Sequence, residues 1–106
     1  MFYLSQKDRG LLHSVLNETL HGFRLPDIDN VIGIKKTELR ELLERLHMAP
    51  RDARLELNRV QTFAFRNALT ETLRELGPED FTIRTGWDFE DAKRILVELD
   101  RILTST

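Results

Sequence analysis

"LNETL" fills residues 16–20 and "LTETL" fills residues 69–73. Four letters of five recur 53 positions apart in a chain of 106 residues, so the two stretches occupy matching places in the two halves. A repeat changes the reading of everything around it, so it is tested first. Sliding the chain by 53 aligns residues 1–53 with 54–106 without a gap. Nine pairs are identical: Leu4/Leu57, Leu16/Leu69, Glu18/Glu71, Thr19/Thr72, Leu20/Leu73, Asp27/Asp80, Gly33/Gly86, Leu43/Leu96 and Leu46/Leu99. Unrelated halves of ordinary composition would give about three. The substitutions say more. Phe2/Leu55, Leu12/Phe65, Val15/Ala68, Phe23/Leu76, Ile28/Phe81 and Leu42/Ile95 exchange one apolar side chain for another. Ser5/Asn58 exchanges one helix N-cap for another, and Glu38/Asp91 and Arg40/Lys93 keep their charge. Matches sorted by physical role point to one unit written twice.

Each unit opens with a short alternating piece, "FYLS" or "LELN", and Ser5 or Asn58 then starts a helix. Leu12, Val15, Leu16, Leu20 and Phe23 form an apolar stripe at helical spacing, as do Phe65, Ala68, Leu69, Thr72, Leu73 and Leu76. "ELGPED" supplies a glycine–proline stop. A short helical segment is predicted next, with Asp27 and Asp80 as N-caps and Gly33 and Gly86 in the turn, although "FTIRT" also suits an extended strand. The closing helices carry Leu39, Leu42, Leu43 and Leu46 in one unit. In the other they carry Phe89, Ala92, Ile95, Leu96, Leu99, Ile102 and Leu103. Neither half could bury much apolar surface alone. The expectation is a single all-α domain over 1–106, made of repeats 1–53 and 54–106. Residues 2–4 and 55–57 are expected to pair as a tiny two-stranded ribbon.

Composition narrows the function classes. The net charge is −2, with 8 basic and 8 acidic residues in the first half and 8 and 10 in the second, so no general basic surface is available for nucleic acid or acidic membranes. The chain has no cysteine, which removes disulfides, thiol nucleophiles and cysteine-ligated zinc. No apolar run reaches signal-peptide or membrane-span length, and a cytoplasmic location is expected.

Gly33 stands between Ile32 and Ile34, with Ile28 upstream and Leu39 and Leu42 downstream. This segment, 28–42, resembles the helix-turn-helix motif of DNA-binding proteins. The resemblance implies a reading helix that begins near Lys36, with Lys35, Lys36, Thr37 and Arg40 facing phosphates or base edges. It departs from the motif at Asp29, where a small residue is wanted, and at Thr82 and Thr85 in the second unit. Glu38, Glu41 and Glu44 on the same helix oppose phosphate, and so do Asp88, Glu90 and Asp91 on the matching helix. A packing corner is the favoured reading.

The repeated charges suggest ties between the long helices of each unit, Glu18 to Arg40 and Glu71 to Lys93, against the plainer reading of four solvated side chains. A surface pair of this kind is worth about 0–1 kcal/mol. His13 and His21 lie eight apart and His47 stands elsewhere, without an HExxH pattern, so no metal is expected. No nucleophile-plus-base spacing, P-loop or dinucleotide glycine pattern occurs, and an enzyme and a cofactor are not expected. Trp87, aligned with Ile34, suits a packed corner, yet tryptophan is also enriched in binding hot spots. Val97 is an apolar residue off the core stripe. Ala92, Leu96, Leu99 and Leu103 form a short heptad-like seam that would serve a homodimer. The resulting expectation is a small non-enzymatic protein-binding or regulatory module with Trp87 and Val97 as contacts. DNA binding through the first corner is the alternative.

Overall fold

The computed structural model of the chain describes residues 2–105, which are mostly helical with one tiny antiparallel sheet. Met1 and Thr106, the outer ends of the two expected units, lie outside the described residues. The order is β1 (Phe2–Leu4), α1 (Gln6–Asn17) continued by a π-helical turn (Glu18–Gly22), α2 (Ile28–Ile32), α3 (Lys36–Met48), β2 (Leu55–Leu57), α4 (Arg59–Thr85) and α5 (Phe89–Thr104).

The ribbon forms where it was expected, with Phe2 opposite Leu57, Tyr3 opposite Glu56 and Leu4 opposite Leu55. A ribbon this short needs support from the helices. It obtains that support by burying Leu4, Leu55 and Leu57 and by setting the Phe2 ring 6.4 Å from that of Phe65 on α4.

Both long helices start on a side-chain cap. Ser5 Oγ accepts the Asp8 N–H at 3.0 Å. Asn58 makes a complete capping box: its Oδ1 accepts the Gln61 N–H at 2.7 Å, and Gln61 Oε1 accepts the Asn58 N–H at 3.1 Å. Asn58→Ala is therefore expected to cost about 1 kcal/mol of stability in a denaturant titration.

α1 does not end on a simple stop. It widens into the π turn, which Phe23 N closes on Glu18 O at 3.2 Å. A Cβ on Gly22 would sit 2.7 Å from the Glu18 carboxylate, so the turn brings that carboxylate back against a residue with no side chain. α4 breaks instead at Gly77 (φ 72°, ψ 176°), followed by Pro78. Proline suits the first turn of the resumed helix, where no N–H is required.

These endings correct two expected caps. Asp27 occupies the N-cap position of α2, but its backbone is left-handed (φ 55°) and its carboxylate takes the Asn30 side-chain amide rather than a backbone N–H. Asp80 lies inside the resumed part of α4, because Gly77–Pro78 has already restarted the helix. Gly33 (φ 96°) and Gly86 (φ 77°) do hold the two turns, in backbone that β-carbon residues seldom adopt. "FTIRT" is helical.

The core is one cluster. Leu11, Leu12, Val15 and Leu16 of α1 meet Ala64, Phe65, Ala68 and Leu69 of α4, with Leu39, Leu42 and Leu46 of α3 and Ala92 and Leu99 of α5 around them. The halves interlock. Asn67 Nδ2 on α4 donates to Ile32 O at the end of α2 (2.8 Å), and Arg84 Nη2 donates to Gly22 O in the π turn (3.0 Å). Arg9 on α1 donates to the carbonyls of Leu46, Ala49 and Pro50 at 2.7–3.0 Å, satisfying the end of α3. Arg59 donates to Leu103 O at the end of α5 (2.8 Å). Among the described residues no helix is long and apolar enough to cross a membrane.

Candidate functional site

The corner between the restart of α4 and the start of α5 has the most exposed large hydrophobic side chain of the described residues, Ile83, at 79%. Its exposure follows from helical geometry. Phe81 and Ile83 stand two positions apart, so they point to different faces. Phe81 takes the core and meets Phe89 edge-on, with ring centroids 5.8 Å apart. Ile83 is left facing out. Together with Pro78, Thr82 and the half-buried Phe89 it floors a shallow groove of about 450 Å³. Glu79, Asp88 and Glu90 line the same groove, and Asp80 lies next to it. Asp88 also caps α5 by accepting the Asp91 N–H at 3.0 Å. Lys93 stands beside the groove, 3.4 Å from Glu90 and 5.5 Å above the Phe89 ring.

Trp87 directly precedes Asp88 of the groove wall in the chain, but its side chain turns toward α1. It is half-buried and packs against the core, over the bare backbone of Gly10, where an added Cβ would touch the ring at 3.5 Å. Lys7 Nζ lies 5.6 Å from the ring centroid. Val97 is 68% exposed but stands alone: Glu90, Arg94 and Arg101 share its face of α5 at helical spacing. Neither Trp87 nor Val97 is among the side chains that line the groove. Ala92, Leu99 and Leu103 of the expected dimer seam are buried, with Leu96 packed behind them, so that stripe is occupied by the chain's own core.

The first corner has different chemistry. Lys35, Lys36, Thr37 and Arg40 are all exposed, and so are Glu38, Glu41 and Glu44. Asp29, the departure from the helix-turn-helix pattern, serves the backbone here. Its Oδ1 accepts the Lys36 N–H at 2.9 Å and so caps α3, because Lys35 at the N-cap position has no side-chain acceptor. The α2 helix before the turn is only five residues long.

The expected ties between long helices are replaced by others. Glu18 is buried in the π turn and faces Arg84, whose Nε lies 2.5 Å from its Oε1, while Arg40 points to solvent on α3. The Arg84 N–H is not aimed at that oxygen, which has no hydrogen-bond donor among the described residues, so the attraction is one of charge at short range. Glu71 pairs with Arg74 and Lys93 with Glu90, each three residues along the same helix, because these side chains find partners sooner within a helix than across the core. His13 and His47 come within 6.2 Å, ring to ring, beside Arg9, and no third metal-ligating group joins them among the described residues.

Sequence reasoning missed Ile83 and Phe89 as a surface. Phe81 and Ile83, at i and i+2, take different faces of a helix but the same face of a strand, so the signal is usable only once the segment is known to be helical. No family model matches the chain, and neither a curated protein nor a solved structure matches it.

Proposed function

We propose that this chain is a small non-enzymatic, cytoplasmic protein-binding module, a 53-residue unit used twice, whose partner docks on the corner formed by Ile83, Phe89 and Trp87. The observation that carries it is Ile83, a large aliphatic side chain left in solvent as part of the groove's apolar floor. Exposed apolar surface rimmed by polar residues is a feature of interaction sites.

The duplication is supported by contacts between equivalent residues. In the ribbon, Tyr3 faces its own counterpart Glu56, while Phe2 and Leu4 exchange counterparts, facing Leu57 and Leu55. In the core, Thr19 Oγ1 lies 3.5 Å from Thr72 Oγ1, and each hydroxyl donates to the carbonyl four residues back. Residues that meet their own equivalents lie on a twofold axis. The elements also start at the same offset: β1 and β2 at 2 and 55, α1 and α4 at 6 and 59, α3 and α5 at 36 and 89. The corners then diverge. Asn30, Lys35 and Lys36 of the first unit stand where Ile83, Asp88 and Phe89 stand in the second. A non-enzymatic role is supported by the structural work of the repeated carboxylates: Glu18 faces Arg84 and Glu71 pairs with Arg74.

Incorporating a photo-crosslinking amino acid at position 83 in the native host tests this reading. A discrete protein adduct is expected from position 83 and not from position 48, where Met48 is comparably exposed at 70% on α3. Equal labelling from both positions, or none from 83, would reject it. A DNA-binding reading is favoured by the exposed row Lys35, Lys36, Thr37 and Arg40. It calls for retention on a DNA column that weakens steeply with salt. The module reading expects elution in low salt.

A further inference from the structure

We infer that the partner presents a basic amphipathic segment to this corner: a large apolar side chain for the Ile83–Phe89 floor, flanked by lysines or arginines. This inference rests on the protein-binding reading above and adds the chemistry of the partner. Groove and rim specify it separately. The floor is Pro78, Thr82, Ile83 and Phe89, a surface with few hydrogen-bonding groups, so it gains mainly from covering by an apolar side chain. Glu79, Asp80, Asp88 and Glu90 stand round it, all exposed.

The nearby cations offset only one of these four carboxylates, Glu90, and leave the rim net negative. Lys93 is held between Glu90 and the Phe89 ring. Arg84 is turned to Glu18 and to Gly22 O, on the α1 side. Net negative charge round an apolar floor repels nucleic acid and anionic membrane surfaces and attracts a cationic peptide. An apolar anchor with basic flanks satisfies both parts, as when an amphipathic helix lies in a groove. The equivalent corner of the first unit, with Asn30, Lys35 and Lys36, offers the opposite chemistry, so this preference belongs to the second corner.

The position of the single tryptophan supplies the readout, since Trp87 directly precedes Asp88. The full chain is titrated with three synthetic peptides and followed by Trp87 fluorescence and calorimetry. One is a leucine–lysine amphipathic helix, the second replaces each lysine by glutamate, and the third scrambles the first to break its leucine stripe. Saturable binding of the lysine peptide is expected, weakening as salt is raised, with neither control binding. Ile83→Asp and Glu79→Lys should each weaken it at least about tenfold, or 1.4 kcal/mol. Met48→Asp should leave it unchanged, and circular dichroism should show all three variants folded, since the altered side chains are exposed. Equal binding of the lysine and glutamate peptides, or undiminished binding to Ile83→Asp, overturns the inference. So does self-association of the free chain that Ile83→Asp abolishes, which would make a second copy the occupant. If position 83 crosslinks to a host protein while the lysine peptide fails to bind, the partner chemistry is wrong and the protein-binding reading survives. Failure of both removes both.

Discussion

Phe65→Ala is expected to lower the unfolding free energy by about 3–5 kcal/mol, while Phe63→Ala, two positions earlier on the same helix, should change it by less than about 1 kcal/mol. Phe65 is fully buried beneath the ribbon, against Phe2, in the core shared by α1 and α4. Removing its ring opens a cavity on the seam between the two halves, and rigid neighbours on both sides limit collapse. Phe63 is 39% exposed, with the Arg59 guanidinium 5.4 Å from its ring centroid, so alanine there leaves no void. A small domain holds about 5–15 kcal/mol in total. The first substitution thus threatens folding at physiological temperature and the second does not. Urea titrations of both variants check this. A larger loss at Phe63 than at Phe65 would mean that α4 is turned the other way about its axis.

The second large effect concerns Arg84. Arg84→Met removes the cation that faces the buried Glu18 carboxylate and should cost about 1–3 kcal/mol, the penalty for a buried polar group left without compensation. The figure lies below that for a fully buried pair because the Arg84 side chain is 41% exposed and water screens part of the attraction. Adding Glu18→Met to Arg84→Met should recover most of the loss, since no orphaned charge then remains. Glu18 with Arg40 should show additivity within about 0.5 kcal/mol, as for sites without contact. Chemical denaturation of the four variants in each cycle measures both couplings. Strong coupling of Glu18 to Arg40 and none to Arg84 would overturn the placement of the π turn.

The periodic, apolar part of the fold was legible in the sequence. Leu12, Val15 and Leu16 of α1 and Leu39, Leu42 and Leu46 of α3 are buried as their spacing required, and Ser5 and Asn58 cap the helices that follow them. The ribbon could be read because two alternating pieces precede equivalent caps. What escaped reading depends on the chain's path through space. The π turn needs the Glu18 carboxylate to fold back onto Gly22, which no spacing rule announces. Asp27 and Asp80 share one letter and have different environments, since one follows a loop and the other a glycine–proline restart. Charge partners were the least legible. Glu18 found Arg84, 66 residues away, and Arg9 found the carbonyls at the end of α3, because long side chains answer to tertiary neighbours. Of the candidate contacts, neither Trp87 nor Val97 lines the groove, although Trp87 directly precedes Asp88 of its wall. Ile83 is hidden from sequence reading within a segment that also suits a strand.

The proposed duplication, with its two units packed about a twofold axis, requires equivalent residues to meet there. Nuclear Overhauser spectroscopy on the full chain, with labelled threonine methyls, addresses this directly. A strong cross-peak between the Thr19 and Thr72 methyls is expected, together with cross-strand peaks between Tyr3 and Glu56. If Thr19 shows contacts only within α1 and its π turn, with no signal to Thr72, the two halves do not meet as equivalents and the duplicated architecture is wrong.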